Sequence, residues 1–133
     1  MRKSIQVREY MSRLPQEIDC REPLEAAMRR MQSYAVRHIP VMDGAHVFGI
    51  LSGSDVHAAW QQHGPRASEL PVGEVCRRGP LSVSPVTPIP EVARQMVEHG
   101  VTSALVVDDG VLVGIFTSVD ALRVLADLAH RSP

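Results

Sequence analysis

Shifting the sequence by 65 positions lays residues 7–60 on residues 72–125 without a gap, and thirteen of those 54 pairs are identical. Average residue usage would give roughly four. The identities run from Val7/Val72 and Glu9/Glu74 through Arg13/Arg78, Pro15/Pro80, Pro23/Pro88, Arg29/Arg94 and Met31/Met96. They continue with Val36/Val101, Val41/Val106, Asp43/Asp108, Gly49/Gly114, Ile50/Ile115 and Asp55/Asp120. A duplicated unit of this size restricts the fold to two copies of one supersecondary pattern. Neither copy, at ~55 residues, buries enough surface to stand alone. The repeat therefore sets the organisation: 1–63 as copy one with its lead-in, 64–71 as connector with Gly64-Pro65 as breaker, and 72–133 as copy two.

Each copy reads as β-α-β-β-α. Short extended pieces lie around Ile18 and Val83. Pro23 and Pro88 stand where a helix tolerates proline, with Thr87 as a candidate N-cap. Leu24, Ala27, Met28, Met31 and Ala35 follow at helical spacing, mirrored by Ile89, Val92, Ala93, Met96 and Gly100. Two apolar strands, Ile39–Met42 and Ala104–Val107, lead through Asp43-Gly44 and Asp108-Asp109-Gly110 turns to hairpin partners, Val47–Leu51 and Val111–Phe116. A second helix begins near Ser52 and near Thr117. Helical lead-ins at Ile5–Met11 and Val72–Cys76 precede the copies. With hydrophobic residues at 44% and aromatics at 4%, the interior is built from Val, Leu, Ile, Ala and Met. The expected class is α+β (α/β), two such repeats packed sheet to sheet about a pseudo-two-fold axis.

The signatures Gly49-Ile50-Leu51-Ser52-Gly53-Ser54-Asp55 and Gly114-Ile115-Phe116-Thr117-Ser118-Val119-Asp120 sit at the same offset. Each follows a strand reading Arg37-His38-Ile39-Pro40-Val41 or Thr102-Ser103-Ala104-Leu105-Val106. Together with the upstream helix and the Asp-Gly turn, this resembles a tandem cystathionine-β-synthase (CBS) domain pair over nearly the whole chain, of the stand-alone type. The resemblance implies binding rather than chemistry: an adenosine-containing ligand such as AMP, ADP or ATP, or S-adenosylmethionine, as regulatory ligand, with no cofactor required. It implies clefts assembled crosswise, Arg37 and His38 with Thr117, Ser118 and Asp120, and Thr102 and Ser103 with Ser52 and Asp55. Ile18, Ile39 and Pro40 would sandwich the adenine.

The residue chemistry is compatible with that assignment. A carboxylate at a helix start accepts the two hydroxyls of a ribose, and an ionised acceptor makes the stronger bonds. A Ser or Thr three residues earlier stands beside free amides at the positive helix end, which favours phosphate. Arg37 offers a planar fork and His38 a proton-dependent donor. The same residues also have plainer readings. Ser52…Asp55 and Thr117…Asp120 fit a capping box, Arg37 and His38 fit a solvated strand end, and Gly49 and Gly114 fit bulges or close backbone approach. Since Thr102-Ser103 carries no charge where Arg37-His38 does, the cleft containing Arg37 is expected to take the more phosphorylated ligand.

Fourteen basic against fifteen acidic residues leave no basic excess for nucleic acid or an anionic membrane. No apolar run approaches a bilayer span, and the first nine residues lack a signal-peptide core. Cys20 and Cys76 have neither disulfide-framework nor zinc-site spacing, which suits a cytoplasmic protein with reduced thiols. The six histidines lack metal-ligand spacing, so no metal site is expected. No nucleophile elbow or phosphate loop is present; His38 with Thr117 is the sole catalytic pairing to propose, and an enzyme is not expected. Leu122, Leu125, Ala126 and Ala129 form an apolar stripe on the last helix, partly echoed by Val56, Ala59 and Trp60. That surplus points to a homodimer. Two functions remain: a nucleotide sensor read by a regulated partner protein, and a ligand-free dimerisation scaffold.

Overall fold

A computed structural model describes residues 4–13 and 16–131. The fold is mixed α+β, with two four-stranded sheets and five α-helices among the described residues. The chain divides into two compact units, Pro15–Pro80 and the pair of segments Met1–Leu14 with Leu81–Pro133.

The unit Pro15–Pro80 contains β2 (Ile18–Asp19), α1 (Leu24–Ser33), β3 (His38–Asp43), β4 (His46–Ser52), α2 (Gly53–His63), α3 (Val72–Val75) and β5 (Arg77–Arg78). Its sheet order is β2-β3-β4-β5. The other unit contains β1 (Ser12–Arg13), β6 (Ser82–Val83), α4 (Ile89–His99), β7 (Ser103–Asp108), β8 (Val111–Thr117) and α5 (Ser118–Arg131), in sheet order β1-β8-β7-β6. In each, the strand before the crossover helix, β2 or β6, joins the hairpin in parallel, as a helical crossover allows, and the hairpin is antiparallel.

The repeat pattern β-α-β-β-α is present twice, but the compact units cut the chain differently from the limits 1–63 and 72–133. Each lead-in joins the sheet of the other repeat. Ser12–Arg13 pairs with β8, and Arg77–Arg78 pairs with β4. The helix starts show why the lead-ins matter. Pro23 and Pro88 are the N-caps of α1 and α4 and give no side-chain cap. The first helical amides instead donate to lead-in and connector carbonyls, Leu24 N to Leu70 O and Ile89 N to Ile5 O, both at 2.8 Å. Thr87 is thus not the cap of α4; its hydroxyl accepts from the Ser84 amide at 3.1 Å.

The helical spacing places Leu24, Ala27 and Met31 in one core with Ile18, Ile39, Val41 and Leu51. Ile89, Val92 and Met96 enter the other with Val7, Ala104, Val106 and Phe116. Two positions of the apolar stripes fall beyond the helices. Gly100 is the left-handed C-cap of α4, and Ala35 lies past α1 with φ 53°. That conformation costs an alanine about 1–2 kcal/mol and a glycine almost nothing. At the second hairpin, Asp109 and Gly110 are both left-handed, the backbone a two-residue type I′ turn requires.

Candidate functional site

Each hairpin has an open end where the first strand begins, the second strand stops and a helix starts. The register sets His38 opposite Ser52 and Ser103 opposite Thr117. Backbone bonds then seal both ends in the same way: Gly53 N donates to Arg37 O at 2.9 Å and Ser118 N to Thr102 O at 3.0 Å. Arg37, His38, Ser52 and Asp55 therefore gather at one hairpin mouth, and Thr102, Ser103, Thr117, Ser118 and Asp120 at the other. The crosswise sets, Arg37 and His38 with Thr117 and Asp120, draw on two different units. The grouping made by the strand register is within each unit.

The capping reading holds at the first mouth, and it leaves room for a second role. Ser52 and Asp55 form a reciprocal capping box. The Ser52 amide and hydroxyl both donate to Asp55 Oδ2 at 2.9 Å, while the Asp55 amide donates to Ser52 Oγ at 3.3 Å. Asp55 Oδ1 has no hydrogen-bond partner among the described residues. At the second mouth, the Thr117 amide and hydroxyl donate to Asp120 Oδ2 at 2.9 and 3.3 Å. There the outer oxygen, Oδ1, accepts from the Arg123 guanidinium.

The two ends differ in charge and exposure. Arg37 is exposed and His38 half-buried, whereas Thr102 is exposed and Ser103 buried. Burial holds His38 below its ordinary value near 6.5, and Arg37 pushes the same way; Asp55 opposes them. The unfolded chain then takes up a proton at His38 before the folded one does. Stability is therefore fully present above about pH 6.5 and is lost as the pH falls through the lower folded value. His38→Gln is expected to flatten the decline in melting temperature below pH 6.5, measured by differential scanning fluorimetry; an unchanged slope would assign the decline to other groups.

Ile18 and Ile39 are fully buried in the helix-backed core of their unit, and Pro40, on the opposite face of β3, is fully buried as well. Gly49 and Gly114 mark close approach and a bulge together. A Cβ on Gly49 would meet Cys76 Sγ at 2.9 Å and the Arg77 carbonyl oxygen closer still; one on Gly114 would lie 2.9 Å from Ser12 O. The register also slips beside each glycine, between Val41 and Met42 and between Val106 and Val107. The Cys76 thiol is pushed up by burial despite Arg78 nearby, and it packs against the core of its unit. Among the described residues, no three His, Cys, Asp or Glu side chains are placed to hold a metal ion, and no helix is long and apolar enough to cross a membrane. Arg123 is the residue that sequence reasoning missed. Its place one turn after Asp120 was the available signal.

The family model for the CBS domain matches residues 7–61 and 72–127. The chain belongs to the CBS-domain family, as a tandem pair. The fold is shared with solved structures that the chain matches over nearly their whole length. A Vibrio cholerae protein provisionally described as an acetoin utilization protein (AcuB) is 32% identical, with TM-score 0.83, over 96% of this chain and 95% of that one. The CBS domain pair of protein MJ0100, solved with 5′-methylthioadenosine and S-adenosyl-L-methionine, is 23% identical, with TM-score 0.86, over 94% and 98%. CBSX2, solved with AMP, is 23% identical, with TM-score 0.78, over 93% and 98%.

Proposed function

We propose that the protein is a regulatory module that binds an adenosine-containing nucleotide and passes its occupancy to a partner protein. The observation that carries this reading is the hairpin mouth of Arg37, His38, Ser52 and Asp55. Its carboxylate uses Oδ2 to cap the helix and leaves Oδ1 for a ligand. A ribose diol would donate to that oxygen. A phosphate would face the exposed Arg37 fork and the start of α2, where helix amides and the macrodipole favour negative charge. The family relationship supports the same ligand class, since two relatives of this fold were solved with adenosine compounds. AMP, ADP and ATP are the first ligands to try.

The apolar stripe on α5 supports a homodimer. Val119, Leu122, Leu125 and Leu128 are all exposed, Leu122 and Leu125 at 63% each, and a second copy of the chain would cover them.

Isothermal titration with AMP tests the nucleotide reading. Losing charge-assisted hydrogen bonds worth about 1.5–3 kcal/mol corresponds to roughly a 10- to 150-fold loss of affinity for Asp55→Ala. A larger loss from Asp120→Ala would favour the crosswise assignment of the sites. The absence of any thermal shift with AMP, ADP, ATP or S-adenosylmethionine would favour the ligand-free scaffold, because a ligand that binds only the folded state raises the melting temperature.

A further inference from the structure

The two repeats carry the same Ser/Thr-x-x-Asp clasp, yet the outer oxygens of the two carboxylates are in different states. Oδ2 of each already accepts an amide and a hydroxyl. Any ribose hydroxyl must therefore bond to Oδ1. At Asp55 that oxygen has no partner among the described residues. At Asp120 it accepts from Arg123 Nη2, and the Asp120 side chain is 5% exposed where that of Arg123 is 59%.

Arg123 is tied down from a second side. Nη2 also lies 3.4 Å from the Tyr10 carbonyl oxygen, while the Tyr10 hydroxyl bonds Asp127 Oδ2 at 2.5 Å. The lead-in and α5 thus both hold the guanidinium over the carboxylate. The guanidinium brings a full positive charge to the oxygen and belongs to the same chain, so a ribose hydroxyl reaches that oxygen only by displacing it. The difference between the mouths comes down to one position: 65 residues before Arg123 stands Ala58, which has no group to reach Asp55.

We propose that Arg123 is an internal stopper that occupies the sugar-binding oxygen of Asp120 and closes that mouth, so that each chain takes up one adenosine ligand, at Asp55. The inference rests on the nucleotide reading above and adds a stoichiometry and a residue that sets it. The closure is reversible in principle, because the Arg123 side chain is largely exposed and can swing away without disturbing the core.

Isothermal titration with AMP on four forms of the full chain tests it. The wild type is expected to bind one AMP per chain and Arg123→Ala two. Asp55→Ala is expected to lose at least tenfold in affinity, and Asp55→Ala/Arg123→Ala to regain one site per chain. Arg123→Gln, which keeps the stem and removes the charge, carries the same expectation as Arg123→Ala should the alanine variant fold poorly by circular dichroism. Wild type already at two per chain, or Arg123→Ala and Arg123→Gln still at one with the double variant binding none, overturns the stopper and leaves the nucleotide reading standing. No binding by the wild type or by either Arg123 variant overturns both.

Discussion

Phe116→Ala is expected to cost about 3–5 kcal/mol of folding stability, the range for truncating a buried aromatic ring. The total stability of a chain of this kind is of order 5–15 kcal/mol, so this one change removes at least about a fifth of it. Phe116 is fully buried in a core with Val7, Val92, Met96, Ala104 and Val106. It faces Ala104 across the hairpin, and the ring fills the space that the small neighbour leaves. The matching pair in the other repeat is Leu51 facing Ile39. One repeat divides the volume between two medium residues, and the other gives nearly all of it to one large residue. Phe116→Leu should therefore leave a void, and adding Ala104→Ile should recover part of the loss, since cores tolerate substitutions that conserve volume. Urea denaturation followed by circular dichroism measures all three. A cost below 1 kcal/mol for Phe116→Ala would mean that the ring is not the centre of that core.

Gly49→Ala is expected to cost about 3 kcal/mol, at the upper end for overpacking. The added methyl would run into the Arg77 carbonyl oxygen and Cys76 Sγ. A backbone oxygen cannot rotate aside, so β5 would have to separate from β4, disturbing the segment that carries the fully buried Val72. Gly114→Ala should cost less, because the backbone oxygen it meets, Ser12 O, lies farther off at 2.9 Å, and its nearest obstacle, the Met11 thioether at 2.5 Å, can repack. Gly53→Ala is the control, with nothing within 4 Å of its added Cβ. Equal midpoints for Gly49→Ala and Gly53→Ala in the same denaturation series would show that the edge strand yields freely.

The hairpins, both long amphipathic helices and the Ser/Thr-x-x-Asp clasps were legible because each is a local pattern. Leu24, Ala27 and Met31 repeat with the helical period, and Asp-Gly turns and helix starts are settled by residues three or four apart. The strands β1 and β5, two residues each, were not legible. A pair such as Arg77-Arg78 has no period to read, and its pairing with β4 depends on residues some 30 positions away. Ala35 failed for a related reason: its place in the apolar spacing was right, but the helix had already ended, and only the backbone shows the left-handed turn.

The site divided along the same line. The amino-acid order alone determined which residue types stand at the two hairpin ends, because the 65-residue repeat carries them in step. Which of them share a mouth was decided by strand pairing, which sets His38 against Ser52 and Ser103 against Thr117. The state of each carboxylate was decided by side-chain placement in three dimensions. Asp55 and Asp120 are interchangeable as letters, but a guanidinium covers one of them, and its position depends on α5 and on a lead-in more than a hundred residues earlier in the chain.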